Sequence, residues 1–142
     1  METYRDEVEF HGHPLVRSTH RTTIEVTRDS NLTVRGDCVL GVRADKGPAD
    51  LSEDVRELIR TDGSQILLTL EVLSESFKVR ASGSSLLTLE DAHEMVIRKS
   101  DFVSPRTLAI RATAAARDVP RTIVESLRNP DCRGLLRIEV RA

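Results

Sequence analysis

The stretch Gln65-Ile66-Leu67-Leu68-Thr69-Leu70-Glu71-Val72-Leu73-Ser74-Glu75-Ser76-Phe77-Lys78-Val79-Arg80-Ala81 decides the fold class. Ile66, Leu68, Leu70 and Val72 recur at every second position, and Phe77, Val79 and Ala81 do the same after the connection Ser74-Glu75-Ser76. A period of two puts such residues on one face of a strand, so the segment reads as a hairpin. Toward the N-terminus, Leu51, Val55, Leu58 and Ile59 have helical spacing. Asp50 or Ser52 is placed to cap that helix, Glu53 and Asp54 supply negative charge to its first turn, and Asp62-Gly63 ends it. The loop Lys46-Gly47-Pro48 precedes it. Further back, Cys38 to Val42 reads as a buried strand, Thr22, Ile24 and Val26 alternate in another, and Tyr4, Asp6, Val8 and Phe10 share one face of a first.

On the C-terminal side, Met95-Val96-Ile97 and the alternating Leu108, Ile110 and Ala112 read as strands. Val119, Ile123, Val124 and Leu127 form the apolar face of a second helix, with Asp118 as its cap and Pro120 in its first turn. Leu136, Ile138 and Val140 alternate in a last strand, with Arg137, Glu139 and Arg141 facing outward. Strands in runs, rather than in strict alternation with helices, predict an α+β fold. The expectation is a mainly antiparallel or mixed sheet of about seven to eight strands with two helices on one face, residues 1–142 forming one domain. No internal repeat or low-complexity segment is visible.

Composition narrows the function classes. The chain has 142 residues, 39% hydrophobic and 31% charged, which fits a folded core rather than a disordered chain. Apolar runs such as Ile66-Leu67-Leu68 fall far short of the ~20 residues of a membrane helix. The start, Met1-Glu2-Thr3-Tyr4-Arg5-Asp6, has neither a basic nor an apolar leader, so the expectation is a cytoplasmic chain with no membrane partner. Cys38 and Cys132 are unclustered and read as thiols. The net charge of −2 hides a split: residues 1–97 carry 11 basic and 18 acidic side chains, and residues 98–142 carry 10 and 5. Phosphate-loop, dinucleotide-fingerprint and nucleophile-elbow motifs are absent.

Two polar stretches are left to carry chemistry. The first is His11-Gly12-His13, then His20 to Glu25, then Asp37-Cys38. Imidazoles titrate near neutral pH, which suits His13 or His20 to general acid–base work, oriented by Glu25 or Asp37. Cys38 is a nucleophile if a cation or histidine lowers its pKa, and otherwise a small core residue. The second stretch is Arg98-Lys99-Ser100-Asp101 with Arg106, a set that holds phosphate or carboxylate by charge-assisted hydrogen bonds.

These blocks carry a resemblance. Gly12-His13-Pro14, His20 to Thr27, Leu32-Thr33, Gly36-Asp37-Cys38 and Gly41-Val42, together with Met95 to Phe102 and Arg106 to Ala112, resemble an archaeal family of small proteins known as domain of unknown function three-seventy-one. The resemblance implies a one-domain archaeal cytoplasmic protein and no particular activity. Its polar positions fall here on His13, His20, Thr22, Thr23, Glu25, Asp37, Cys38, Arg98, Lys99, Ser100, Asp101 and Arg106. His11 and His93 lie outside them. Where the family pattern continues with a lysine, this chain has Ala112-Thr113-Ala114-Ala115-Ala116.

The leading expectation is a site for a phosphorylated or other anionic small molecule, with acid–base chemistry from His13, His20, Glu25, Asp37 and Cys38 and anion binding by Arg98, Lys99, Ser100 and Arg106. One alternative is a module that binds RNA or a ribonucleoprotein, motivated by the basic third of the chain. The other is a metal-dependent hydrolase using His13, His20 and Asp37 or Glu25. The sequence names no cofactor.

Overall fold

In the computed structural model, which describes residues 2–33 and 35–142, eight strands form two four-stranded sheets. The strands are β1 (Thr3–His11), β2 (Thr23–Thr27), β3 (Val39–Gly41), β4 (Gln65–Val72), β5 (Glu75–Ser82), β6 (Glu94–Arg98), β7 (Thr107–Ala109) and β8 (Arg133–Arg141), with helices α1 (Glu53–Ile59) and α2 (Arg121–Leu127). The fold is α+β. The first sheet has the order β1-β8-β4-β5 and is antiparallel throughout. The second has the order β3-β2-β6-β7, with β2 and β6 antiparallel at its centre and parallel pairs outside them. The expected hairpin is β4–β5, closed by the two-residue turn Leu73-Ser74, so Glu75 belongs to the strand rather than the connection. No helix among the described residues is long and apolar enough to cross a membrane.

The structure corrects the reading of no internal repeat. The chain runs β1-β2-β3-turn-α1-β4 and then β5-β6-β7-turn-α2-β8, the turns being 3-10 (Pro48–Asp50 and Ala116–Asp118). Exchanging the two halves leaves both sheet orders unchanged. Details repeat too. The backbone is left-handed at Ser18 and Leu89 and again at Arg43 and Arg111, with φ between 51° and 53°. His11 bridges Val42 as Ser82 bridges Ile110. The Asp50 carboxylate accepts from Gly47 N at 2.9 Å, as Asp118 does from Ala115 N. Non-glycine residues held at positive φ in both halves show that the fold imposes this strained geometry. These contacts also revise the caps: Ser52 caps α1, whereas Asp50 and Asp118 close the 3-10 turns and Pro120 stands at the N-terminus of α2.

The core lies between the sheets and is flanked by the helices, which add Val55, Ile59, Ile123, Val124 and Leu127 to it. The run Leu86 to Leu89 forms no strand, yet Leu87 and Leu89 are buried in that core. One part of the core departs from the repeat. Phe10 is fully buried, and a Cβ on Gly41 would come within 1.9 Å of its ring, one on Gly134 within 2.3 Å. The trio that takes their places when the halves are exchanged is Ala81, Ala109 and Ile66, so bulk moves among three facing positions while the layer stays filled. Overpacking of this kind costs typically 1–3 kcal/mol. Gly41→Ala should therefore lower stability by about that amount in urea denaturation, while Ala109→Gly, which only empties a methyl, should cost about 1 kcal/mol. Unchanged stability of Gly41→Ala contradicts this packing.

Candidate functional site at the centre of the second sheet

Strand alternation sorts the residues of β2 and β6. Ile24, Val26 and Ile97 face the core among Leu68, Leu70 and Leu136. Thr23, Glu25 and Thr27 therefore point to the other face, as do Glu94, Val96 and Arg98. The antiparallel register sets Thr23 opposite Arg98, Glu25 opposite Val96 and Thr27 opposite Glu94. The chain segments that lead into β3 and β7 then lay Cys38 and Arg106 over this face, held by Glu25 N to Cys38 O (2.9 Å) and Val96 N to Arg106 O (2.9 Å).

Glu25 sits at the middle of the group and is buried. The Cys38 thiol donates toward its Oε1 at 4.0 Å, and an Arg106 guanidinium nitrogen lies at the same distance from that oxygen. Arg106 also pairs with Glu94 at 3.1 Å. Burial raises the Glu25 pKa to about 7, helped by the hydrogen bond and charge of the adjacent Glu94 and opposed by Arg106 and Arg98. The carboxyl is thus poised between its neutral and charged forms near neutral pH. Burial, and then the charge of Glu25, push the Cys38 thiol up to about 11. It remains a thiol, so the condition for a Cys38 nucleophile is not met.

Arg98 is fixed in place. Its Nε donates to Thr107 Oγ1 at 2.8 Å, another nitrogen reaches Ser104 Oγ at 3.4 Å, and the guanidinium lies 4.8 Å from the centre of the Phe102 ring. Burial and the nearby Arg106 lower its pKa below the usual arginine value.

The other expected residues divide. His20 touches the group through Thr23: its Nδ1 takes hydrogen bonds from the backbone N–H groups of Thr22 and Thr23, both at 3.2 Å, and meets Thr23 Oγ1 at 2.9 Å. A nitrogen accepting from backbone donors carries no proton, so the ring reads as the Nε2–H tautomer when neutral. Asp37 offers its carbonyl to the N–H groups of Thr19 and His20. His13 is engaged elsewhere, its N–H on Leu127 O and its Nδ1 accepting from Leu15 N. Lys99 and Ser100 are exposed beyond the end of β6, and Ser100 Oγ serves a local turn with Phe102 N. Among the described residues no three or more His, Cys, Asp or Glu side chains gather as a metal site, which leaves the metal-hydrolase alternative without a ligand set. A broad hollow lies on the outer face of the first sheet, lined by groups such as Arg5, Glu7, Arg137 and Glu139 that already pair with one another.

Sequence reasoning missed Glu94 and the Ser104, Thr107 and Phe102 cradle of Arg98. Glu94 and Arg98 are four apart in one strand and so share a face, a signal that the β2–β6 register alone connects to Glu25.

The family described as Domain of unknown function (DUF371) matches residues 8–141. The chain belongs to this family. It is also 39% identical, over 117 residues, to an uncharacterised protein of Methanocaldococcus jannaschii, an alignment that covers 82% of this chain and 86% of that protein. The family match spans both halves of the fold and every residue of the Glu25 group.

The raised pKa has a consequence for stability. The folded protein keeps a proton on Glu25 that the unfolded chain releases above about 4.5, so this group subtracts stability as pH rises from about 4.5 to about 7. The loss reaches up to about 3 kcal/mol by the conversion of pKa units into free energy. Glu25→Gln should be more stable than the native chain at pH 8 and nearly equal to it at pH 4.5, measured as melting curves across that range. Parallel pH profiles for the two proteins indicate a carboxyl that ionises normally.

Proposed function

We propose that the outer face of the second sheet binds a small anionic molecule between Arg98 and Arg106, with the Glu25 carboxyl as the proton-exchanging group beside it. One observation carries this reading. The residue that corresponds to Glu25 when the halves are exchanged is Val96, which is equally central and also buried. The fold is satisfied by an apolar side chain there, so the carboxyl is a cost that folding does not require. Perturbed carboxyls next to fixed cations are what binding and acid–base sites hold. Arg98 is preorganised by Thr107, Ser104 and Phe102, and Arg106 faces solvent.

Charge balance gives the mechanism. With Glu25 neutral, two guanidinium groups stand against the single carboxylate of Glu94, and the group carries a net positive charge that an incoming anion completes. With Glu25 ionised, that surplus is gone. Anion binding therefore takes up a proton, and a bound substrate with a basic atom near Oε1 finds an acid there that is half-protonated near neutral pH. His20 and Thr23 form the rim.

Sulfate is a suitable probe because its own charge is constant between pH 6 and pH 8. Titration calorimetry should show binding at least fivefold tighter at pH 6 than at pH 8. Arg106→Ala should weaken it more than tenfold at pH 6, and Glu25→Gln should bind at pH 8 as the native protein does at pH 6. Binding that ignores Arg106, or that is the same at both pH values, contradicts the proposal.

A further inference from the structure

Exchange of the halves also reveals a reversal of surface charge away from the Glu25 group. The loop 16–22 lies against the second 3-10 turn and α2. Arg121 donates to the carbonyls of Arg17 (3.1 Å) and Ser18 (2.8 Å), and Arg128 Nε to that of Val16 (3.0 Å). The backbone N–H of Arg117 meets His20 O at 3.0 Å, and that of Lys99 meets Thr22 O at 2.9 Å. These contacts gather Arg17, Arg21, Lys99, Arg117, Arg121 and Arg128 around one loop. The acids beside them are Asp37, whose carbonyl accepts from Thr19 and His20 of this loop, Asp118, whose carboxylate closes its own turn, and Glu125. In the other half the matching loop lies against the first 3-10 turn through Ala49 N and Asp91 O (3.0 Å), and the surface there carries Asp50, Glu53, Asp54, Glu57, Glu90 and Asp91, with Arg28 paired to Asp50 at 3.1 Å.

We propose that the basic surface on the loop 16–22 docks the phosphate backbone of a nucleic-acid strand. Arg21, Lys99 and Arg117 are exposed and have no carboxylate partner among the described residues. The guanidinium groups of Arg121 and Arg128 are bonded to carbonyls, which orient them without neutralising them. The fold does not ask for most of this charge: the residues matching Arg17, Arg21, Arg117 and Arg121 in the other half are Thr88, Ala92, Ala49 and Glu53, while Lys99 and Arg128 match Arg28 and Arg60. Crowded cations repel one another, and a polyanion is the partner that relieves them. A second copy fits less well. Patch against patch sets like charges together, and basic face against acidic face leaves free ends and an open chain rather than a closed pair. Phe102 is engaged with Arg98, the loop holds no Phe, Tyr or Trp, and its His20 ring is bonded to Thr22 and Thr23, so contact runs through phosphates rather than stacked bases and is indifferent to sequence. The acidic side repels a second strand and confines the footprint to one face.

The test is fluorescence anisotropy of a labelled twelve-nucleotide RNA, and of the DNA of the same sequence, between 50 and 200 mM KCl. About five phosphate contacts on a single strand weaken binding roughly 100-fold over that range. The combination Arg21→Glu, Lys99→Glu and Arg117→Glu removes side chains that hold no part of the fold, which a melting curve verifies. It should weaken binding more than tenfold at 50 mM salt and flatten the salt slope by about 2. Asp54→Lys with Glu57→Lys, on the acidic side, should leave binding equal or tighter. RNA bound more tightly than DNA identifies the strand as RNA, and equal affinities identify a contact made to phosphates alone; both support the docking surface. No binding at 50 mM salt, or a triple variant that binds as the native protein does, overturns it. So does self-association in sedimentation that salt or the Asp54 and Glu57 reversals dissolve, because a second copy is then the occupant.

Discussion

Glu25 faces Val96 across the middle of the second sheet because β2 and β6 pair antiparallel in one register. That register is set by burial. A slip of one residue turns Ile24, Val26 and Ile97 out of the core and brings Thr23, Glu25 and Arg98 into it. The same pairing joins the two halves of the chain, as β4 with β8 does in the first sheet. Where the halves meet, each supplies one strand and one incoming segment. The first half brings Thr23, Glu25 and Cys38, the second Glu94, Arg98 and Arg106, and unlike side chains converge on a face whose backbone is nearly symmetric.

The energetics of that face rest on Glu25. An isolated buried carboxylate is expensive, and proteins avoid the cost by pairing it or by leaving the proton on. Both means operate here. Arg98 and Arg106 favour the charged form, burial and Glu94 favour the neutral one, and the balance falls near neutral pH. Arg98 does not move to neutralise Glu25, because Thr107, Ser104 and Phe102 hold it. Cys38 contributes a weak donor and remains protonated. A fixed cation, an exposed cation paired with Glu94 and a half-protonated acid make a group whose charge changes by one with a single proton.

Much of the fold was legible in the sequence, because alternation reports directly on which side chains face a core. β1, β4, β5 and β8 follow from it, and so do the buried faces of both helices. The repeat was not recognised, although Leu67-Leu68-Thr69-Leu70-Glu71-Val72 and Leu135-Leu136-Arg137-Ile138-Glu139-Val140 share a pattern, as do Leu40-Gly41-Val42-Arg43-Ala44 and Leu108-Ala109-Ile110-Arg111-Ala112. Elsewhere the halves keep backbone geometry and change residue type, as at Phe10 and Ala81, and geometry is invisible in a single chain. Of the polar residues singled out in the sequence, the structure brings Glu25, Cys38, Arg98 and Arg106 together and holds His13, Lys99 and Ser100 apart from them. Proximity in sequence decided the expected grouping, whereas in the structure the strand register decides it. Glu94 was hidden for the same reason.

The central claim is that Glu25 holds its proton to about neutral pH because it is buried beside Glu94 on the β2–β6 pair. Carboxyl carbon chemical shifts, followed by NMR from pH 3 to pH 9 with Glu25→Gln to assign the resonance, measure this directly. The account predicts a Glu25 transition centred near 7, which moves down when Glu94 is replaced by Gln. A Glu25 transition near 4.5 that is indifferent to Glu94 contradicts it.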